Sequence, residues 1–424
     1  MISDAPLKVG VLVDLERGPR AGGHVKCWER FAEASVDLGE NLDLTVHFQG
    51  RQEETISLGP QTRLVTLKPV FSTERLFFLR NIADYTDLAP GHPRLKHYLR
   101  NYDVLHTTDG YFAYAQSAAR FSKKHSVPLV SSLHTNTPGF TRVYSERAIR
   151  RAFGESAAAR LLVDRLRLPD KFSRDMEKKL QKHLAQCRAV LASEDDALAA
   201  HVPAGVPTTQ LRRGIDKSLF HPDKRDPAGL RAQFHIPEDR PVIAFVGRLD
   251  GSKNVMTLAH AAKLMLEHGK DPHLVLAGKG YYRDEIKDLL GANVSFAGTL
   301  EAEEVARLNA SSDLFVFPST LEVWPNAVLE AKACGTPVVV APGGGGIYIR
   351  TPGEDGLVIE DQSPTSWADT IEALLEDSDR LASLGRAARQ DVEQNRLSWA
   401  DVLRQDLLPI WRLASNEIVS ANNG

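Results

Sequence analysis

Short apolar runs alternate with helix-like segments along this chain. The alternation breaks once and then begins again. The first series holds Lys8–Asp14 (KVGVLVD), Leu42–Phe48, Arg63–Leu67, Asp103–Thr107, Pro128–His134 and Ala189–Ser193. The second holds Pro241–Val246 (PVIAFV), His273–Ala277, Asn293–Ala297, Asp313–Pro318, Pro337–Ala341 and Gly356–Ile359. Continuous apolar strands separated by helices indicate parallel sheets buried on both faces. Two such series in tandem predict an α/β protein of two Rossmann-like, doubly wound domains facing a cleft. The break, about Pro203 to Asp239, is rich in Pro, Asp, Lys and Arg and reads as an interdomain connection. A last helix is expected from about Trp399 to Ala414.

Composition excludes several classes. Of 424 residues, 42% are hydrophobic and 25% charged, which fits a globular chain rather than a disordered one. The net charge of −3 argues against nucleic acid as a partner. Three cysteines without a C-x-x-C pair exclude a disulfide scaffold and a structural zinc site, and suit a reducing compartment. No apolar run reaches the ~18–20 residues that span a bilayer, and no signal peptide is visible. A cytoplasmic location is expected.

The chemistry-bearing residues cluster where strands end. Glu322-Val-Trp-Pro-Asn-Ala-Val-Leu-Glu330 follows a strand and a Pro-Ser-Thr turn and opens a helix. Free backbone N–H groups at such a helix start favour an anion. One carboxylate could face a sugar and the other a ribose diol, although glutamates on a solvated helix face are just as common. Gly247-Arg248 and Lys253-Asn254 follow the strand 241–246. A guanidinium fork and an ammonium on one βα loop suit a diphosphate. Alone they read better as surface charge. Gly22-Gly23-His24, Gly278-Lys-Gly280, Gly298-Thr299-Leu300 and Gly343 to Gly346 all sit on βα turns. There backbone can approach a ligand, and Thr299 and Leu300 could hold a nucleobase through backbone atoms. His134 ends its strand at the expected rim; a buried structural histidine is the other reading, and the favoured one for His106. Asp377-Ser-Asp379 lies in a polar stretch after a late helix and is discounted as a metal site. Together these features fall on the ligand side of open α/β sheets.

In order and spacing, the motifs resemble those of the retaining GT-B glycosyltransferases of family 4. They are Arg213-Gly-Ile-Asp216, Phe220-His-Pro222, Gly-Arg-Leu with Lys253-Asn254, Gly278-Lys-Gly280, Phe317-Pro-Ser319, the Glu-x(7)-Glu pair and Glu330-Ala-Lys-Ala-Cys-Gly-Thr-Pro-Val-Val-Val340. The resemblance implies an acceptor-binding domain at 1–205, a nucleotide-sugar-binding domain at 206–398 and a crossing helix and tail at 399–424. It implies that Arg248 and Lys253 bind the donor diphosphate and that Glu330 holds the ribose. Glu322 would contact the transferred sugar, Gly23 would lie beside the phosphate, and His134 would act near the reacting sugar through a hydroxyl or its own backbone. Where the family commonly has Phe-Gly, this chain has Trp324-Pro325. Proline has no N–H to offer a phosphate, which leaves those of Asn326 and Ala327, and proline suits a first helical position.

With two cations and a helix start at the leaving group, no metal and no cofactor is expected; the nucleotide sugar, a UDP- or GDP-sugar, is a substrate. Ser132-Leu-His-Thr-Asn-Thr-Pro and Arg-Gly-Ile-Asp look most like the lipid-modifying members, so a lipid acceptor such as diacylglycerol is expected, with a soluble or glycan acceptor as the alternative. Residues 145–182 carry eleven Lys and Arg against six Asp and Glu, interleaved with apolar residues. That pattern suits an anionic membrane surface and peripheral attachment to its inner face. Leu76 to Arg80 reads as core or as an apolar patch. A GT-B-fold epimerase and a silent nucleotide-sugar-binding scaffold are the remaining alternatives; the intact Glu322, Glu330, Arg248 and Lys253 set argues against the scaffold.

Overall fold

Two strand series give two sheets. The computed structural model describes residues 5–18, 21–75, 85–154, 156–192, 199–322 and 324–421, so the Leu76–Arg80 stretch lies outside the described residues. The chain divides into two compact units, residues 1–214 with 399–424, and residues 215–398.

The first unit holds β1 (Leu7–Glu16), β2 (Leu42–Gln49), β3 (Glu54–Gly59), β4 (Thr62–Leu67), β5 (Val104–Thr107), β6 (Leu129–Ser132), β7 (Ala189–Ala192) and β8 (Thr208–Gln210). They pair in the order β3-β4-β2-β1-β5-β6-β7-β8. All neighbours are parallel except β3 and β4, which form an antiparallel hairpin. Two strands are additions to the sequence reading. β3 is an edge strand whose side chains are exposed or half-buried, so it has no apolar run to betray it. β8 lies inside the segment read as a connection; its Thr208, Thr209 and Gln210 are too polar to stand out.

The closing helix is continuous from Trp399 to Ala421, with a π-helical stretch at Leu403–Leu407. Asp406 in that stretch accepts hydrogen bonds from the backbone N–H (2.8 Å) and Nε (3.1 Å) of Arg212, which fastens the helix to the first unit's last strand connection.

The second unit holds β9 (Val242–Val246), β10 (His273–Ala277), β11 (Val294–Gly298), β12 (Leu314–Phe317), β13 (Val338–Val340) and β14 (Leu357–Val358), all parallel, in the order β11-β10-β9-β12-β13-β14. Val242, Ile243, Ala244 and Phe245 are all fully buried, as a central strand covered on both faces requires. Each such large side chain contributes roughly 1.5–3 kcal/mol of burial energy. The order reverses at β9: the chain runs outward through β10 and β11, then returns to place β12 on the other flank. The crevice beyond the carboxyl ends of β9 and β12 is therefore the topological switch point, where open α/β sheets take ligands.

One charged side chain is wholly inside this unit. Lys332, in the helix Asn326–Ala333, donates to the Tyr348 carbonyl (2.5 Å), Asp355 Oδ2 (2.6 Å) and Asp391 Oδ2 (2.8 Å). Asp355 also accepts from the backbone N–H groups of Arg350 and Thr351. The ammonium so ties the helix after β12 to the segment after the glycine-rich loop. Burial would raise the Asp391 carboxyl, but Lys332 and Arg396 hold it below the ordinary range. Replacing Lys332 by Met leaves two buried carboxylates short of their cation. The expected loss is about 3–5 kcal/mol in urea denaturation; a loss below about 1 kcal/mol, the scale of an exposed pair, contradicts this role.

Candidate active site

Four loops meet at the carboxyl edge of the second sheet. After β9 comes Gly247-Arg248. Arg248 Nε donates to Asp250 Oδ2 (3.0 Å), and its terminal nitrogen to Ser252 Oγ (3.1 Å). Burial would raise the buried Asp250 carboxyl, but Arg248, Ser252 and Lys253 keep it low. Asp250 is thus an ionised anchor that aims the guanidinium and caps the turn through the Ser252 N–H. The same turn delivers Lys253, which is buried and whose ammonium bonds Glu322 Oε1 and lies 5.9 Å from the Phe317 ring centre. Ser319, just past β12, donates to the Ser252 carbonyl (3.0 Å), so the two loops are stitched together beneath the ion pair.

The flanking loop after β10 is held by backbone. Gly278 N–H donates to the Gly298 carbonyl (2.6 Å), and Leu249 N–H to the Lys279 carbonyl (3.0 Å). Gly278 has φ +137, and a Cβ there would lie 1.9 Å from the Gly247 carbonyl oxygen. Only glycine fits, because the backbone after β9 occupies the space a side chain needs. Beyond it Thr299 is exposed and Leu300 packs on the core, ahead of the Glu301–Glu304 capping box.

Pro325 occupies the cap position just before the helix Asn326–Ala333, one residue earlier than the first helical position. The Val328 N–H turns back to the Pro325 carbonyl (3.1 Å), leaving Asn326 and Ala327 at the helix start. Glu330 lies half-buried on the same helix. Arg248, Lys253, Gly278, Thr299, Leu300, Glu322, Asn326, Ala327 and Glu330 thus all fall on the elements that begin at one sheet edge. The Asp377-x-Asp379 pair is absorbed elsewhere: Asp377 caps the helix Ser378–Asn395 through the Arg380 N–H (2.9 Å). Among the described residues no group of His, Cys, Asp and Glu is arranged to hold a metal ion.

The first unit has its own edge residues. Gly23 is exposed and begins the helix Gly23–Val36. His134 is buried two residues past β6, its ring stacked on His24 with 4.4 Å between centres. Its Nε2 lies 2.7 Å from Ser132 Oγ and its Nδ1 3.1 Å from a terminal nitrogen of Arg213. His106 is a buried structural histidine: its Nδ1 accepts from the Trp411 indole (2.9 Å) and its Nε2 lies 2.8 Å from the same Ser132 hydroxyl. Sequence reading passed over Ser132, Arg213 and Trp411 as site-shaping residues, since only the fold brings positions 132, 213 and 411 together.

Residues 228–391 match the family model "Glycosyl transferases group 1". That stretch is similar to the group 1 glycosyltransferases. A D-inositol 3-phosphate glycosyltransferase from Arthrobacter sp. (strain FB24) is 29% identical over 297 residues, 68% of this chain. The chain spans 65% of that relative's length. A sucrose-phosphate synthase from Thermosynechococcus elongatus superposes with a TM-score of 0.72 at 20% identity, covering 98% of this chain and 100% of that one. Anabaena HepE, solved with UDP-glucose, does so with a TM-score of 0.63 at 18% identity, covering 98% and 100%. These likenesses show the fold: each parallel-sheet unit is Rossmann-like, as in the GT-B fold of those neighbours. The matched stretch includes the sheet edge that gathers Arg248, Lys253, Glu322 and Glu330.

The histidines make the first unit acid-sensitive. Burial pushes His47 and His106 down to about 3 and His183 to about 4. His134 is driven well below 6.5 by burial first, then by the adjacent His24, the Arg213 guanidinium and His106. The unfolded chain protonates these imidazoles near 6.5 while the native chain does not, so stability falls as pH drops through 6.5 towards 4. Burial raises Asp109 to about 6 and Asp14 well above 3.8, and these two act in the opposite sense, losing stability as pH rises. Burial likewise pushes His24 down to about 3, so five histidines against two carboxyls leave a net loss on acidification. Denaturation free energy measured from pH 7 to 5 should fall; a flat or rising profile contradicts the buried neutral imidazoles.

Proposed function

We propose that this chain is a retaining glycosyltransferase that moves a sugar from a nucleoside-diphosphate sugar to an acceptor hydroxyl. The observation that carries the reading is the contact of Lys253 with Glu322 at the switch point of the second sheet. A nucleotide sugar presents a diphosphate and a ring of hydroxyls on either side of one anomeric bond. An ammonium and a carboxylate side by side match that junction. The nucleotide-sugar complex of HepE, which shares the fold, supports a donor of this class.

In this reading the second unit holds the donor and the first the acceptor. Arg248 and Lys253 take the diphosphate, helped by the amides of Asn326 and Ala327 at the helix start. Glu330 holds the ribose, Glu322 the sugar hydroxyls, and Gly278, Thr299 and Leu300 the base side. The bond from the anomeric carbon to the diphosphate oxygen breaks, and the acceptor oxygen bonds that carbon from the same face. The acceptor proton goes to the departing oxygen. Both charges of the leaving group meet fixed cations, so the transfer needs no divalent metal. His134 has both ring nitrogens engaged, which leaves its backbone carbonyl for the sugar.

The acceptor we favour is a hydroxyl of a membrane lipid. The helices Thr137–Phe153 and Leu168–Leu184 pack on each other and expose Phe153 and Phe172, with Leu161 and Leu166 exposed between them. Basic side chains surround these four in the sequence, a pattern suited to an anionic bilayer. Among the described residues no helix is long and apolar enough to cross a membrane, so the attachment proposed is peripheral. A soluble phosphorylated polyol is the second reading, favoured by the name of the Arthrobacter relative.

Arg248→Ala or Lys253→Ala should each lower turnover at least ~10²-fold with the preferred UDP- or GDP-sugar. Near-normal turnover in both removes the phosphate assignment. Sedimentation with anionic phospholipid vesicles should show binding that weakens as salt is raised. Failure to bind at any salt supports the soluble acceptor.

A further inference from the structure

The first unit contains a hydrogen-bonded chain whose two ends can only donate. At one end is the Trp411 indole N–H, at the other the Arg213 guanidinium; neither has a lone pair to accept with. Between them lie His106, Ser132 and His134, with contacts of 2.9, 2.8, 2.7 and 3.1 Å in sequence. Trp411 donates to His106 Nδ1, so the proton of the neutral His106 ring sits on Nε2 and is donated to Ser132 Oγ. Arg213 donates to His134 Nδ1, so the His134 proton also sits on Nε2 and is also donated to Ser132 Oγ. The serine hydroxyl is a double acceptor at the centre. Every ring assignment follows from the two ends.

The arrangement is built rather than incidental. Arg213 is buried at 5% exposure, and Ser132 and His106 are fully buried. The other terminal nitrogen of Arg213 reaches Cys27 Sγ, so the planar fork spans two acceptors, which a single ammonium could not do. The guanidinium also opposes protonation of His134, adding to burial and the neighbouring histidines. Arg213 stands next to Gly214, the last residue of the first unit before the chain leaves it. A Cβ on Gly214 would lie 2.5 Å from the Trp399 Cα, where the chain returns. The arginine is thereby fixed in place by the backbone at that crossing.

We propose that Arg213 is a positioning residue that locks His134 as the neutral Nε2–H tautomer and fixes its orientation for sugar transfer. The kinetic part of this rests on the transferase reading above; the tautomer part does not. Ring nitrogen shifts of ¹⁵N-histidine-labelled protein test it, with the His134 signals assigned by their loss in His134→Gln. In the wild-type chain His134 should show an unprotonated Nδ1 and a protonated Nε2; an Nδ1–H tautomer overturns the proposal without any variant. In Arg213→Met the His134 signals should move towards a tautomer mixture. Turnover should fall at least about tenfold with the donor KM unchanged, and Arg213→Lys should restore part of both. A tautomer unchanged in Arg213→Met, or a changed tautomer with normal turnover, overturns the proposal. Absence of transfer with every donor, with the locked tautomer seen, counts against the transferase reading alone.

Discussion

Lys253 and Glu322 lie 69 positions apart in the chain and touch because the second sheet reverses its strand order at β9. The rest of the site depends on that reversal. β9 delivers the loop with Arg248 and Lys253. β12, seated on its other flank, delivers Glu322 and the helix start at Asn326. Had the strands been laid down in simple succession, these loops would have been separated by β10 and β11. Asp250 and Ser319 then convert proximity into geometry, one by aiming the guanidinium and the other by tying the two loops through the Ser252 carbonyl. Preorganised cations of this kind are effective because nothing must reorganise when charge develops on a leaving group.

The two units solve the problem of buried polarity differently. The second encloses charge: Lys332 with Asp355 and Asp391, a node that fixes the helix bearing Glu330 to the segment after the glycine-rich loop. The first encloses neutral imidazoles, and for His106 and His134 a partner that can only donate, Trp411 or Arg213, selects the tautomer. Neutral rings avoid the desolvation penalty of a buried charge, at the expense of sensitivity to acid.

Most of the architecture was legible because parallel strands buried on both faces must be largely apolar, and β9, β13 and the buried middles of β1 and β10 are. β3 escaped because an edge strand need not be apolar, and β8 because three polar residues in a proline-rich stretch give no periodic signal. Arg248, Lys253 and Glu322 were legible through spacing on βα loops. Lys332 was not: in Glu-Ala-Lys-Ala it looks like a solvated helix lysine, and its partners lie 23 and 59 positions further on. Arg213 was legible as part of a motif but not as a neighbour of His134, since a contact over 79 positions leaves no local trace.

The most direct measurement of the central claim is the affinity difference between a nucleoside diphosphate and its monophosphate, taken by titration calorimetry in the uridine and guanosine series for the wild-type chain and for Lys253→Ala. If the ammonium at the switch point grips the second phosphate, the wild-type chain prefers the diphosphate by at least about tenfold, or ~1.4 kcal/mol, and the preference collapses in the variant. A preference of undiminished size in Lys253→Ala would place the diphosphate elsewhere and contradict the account.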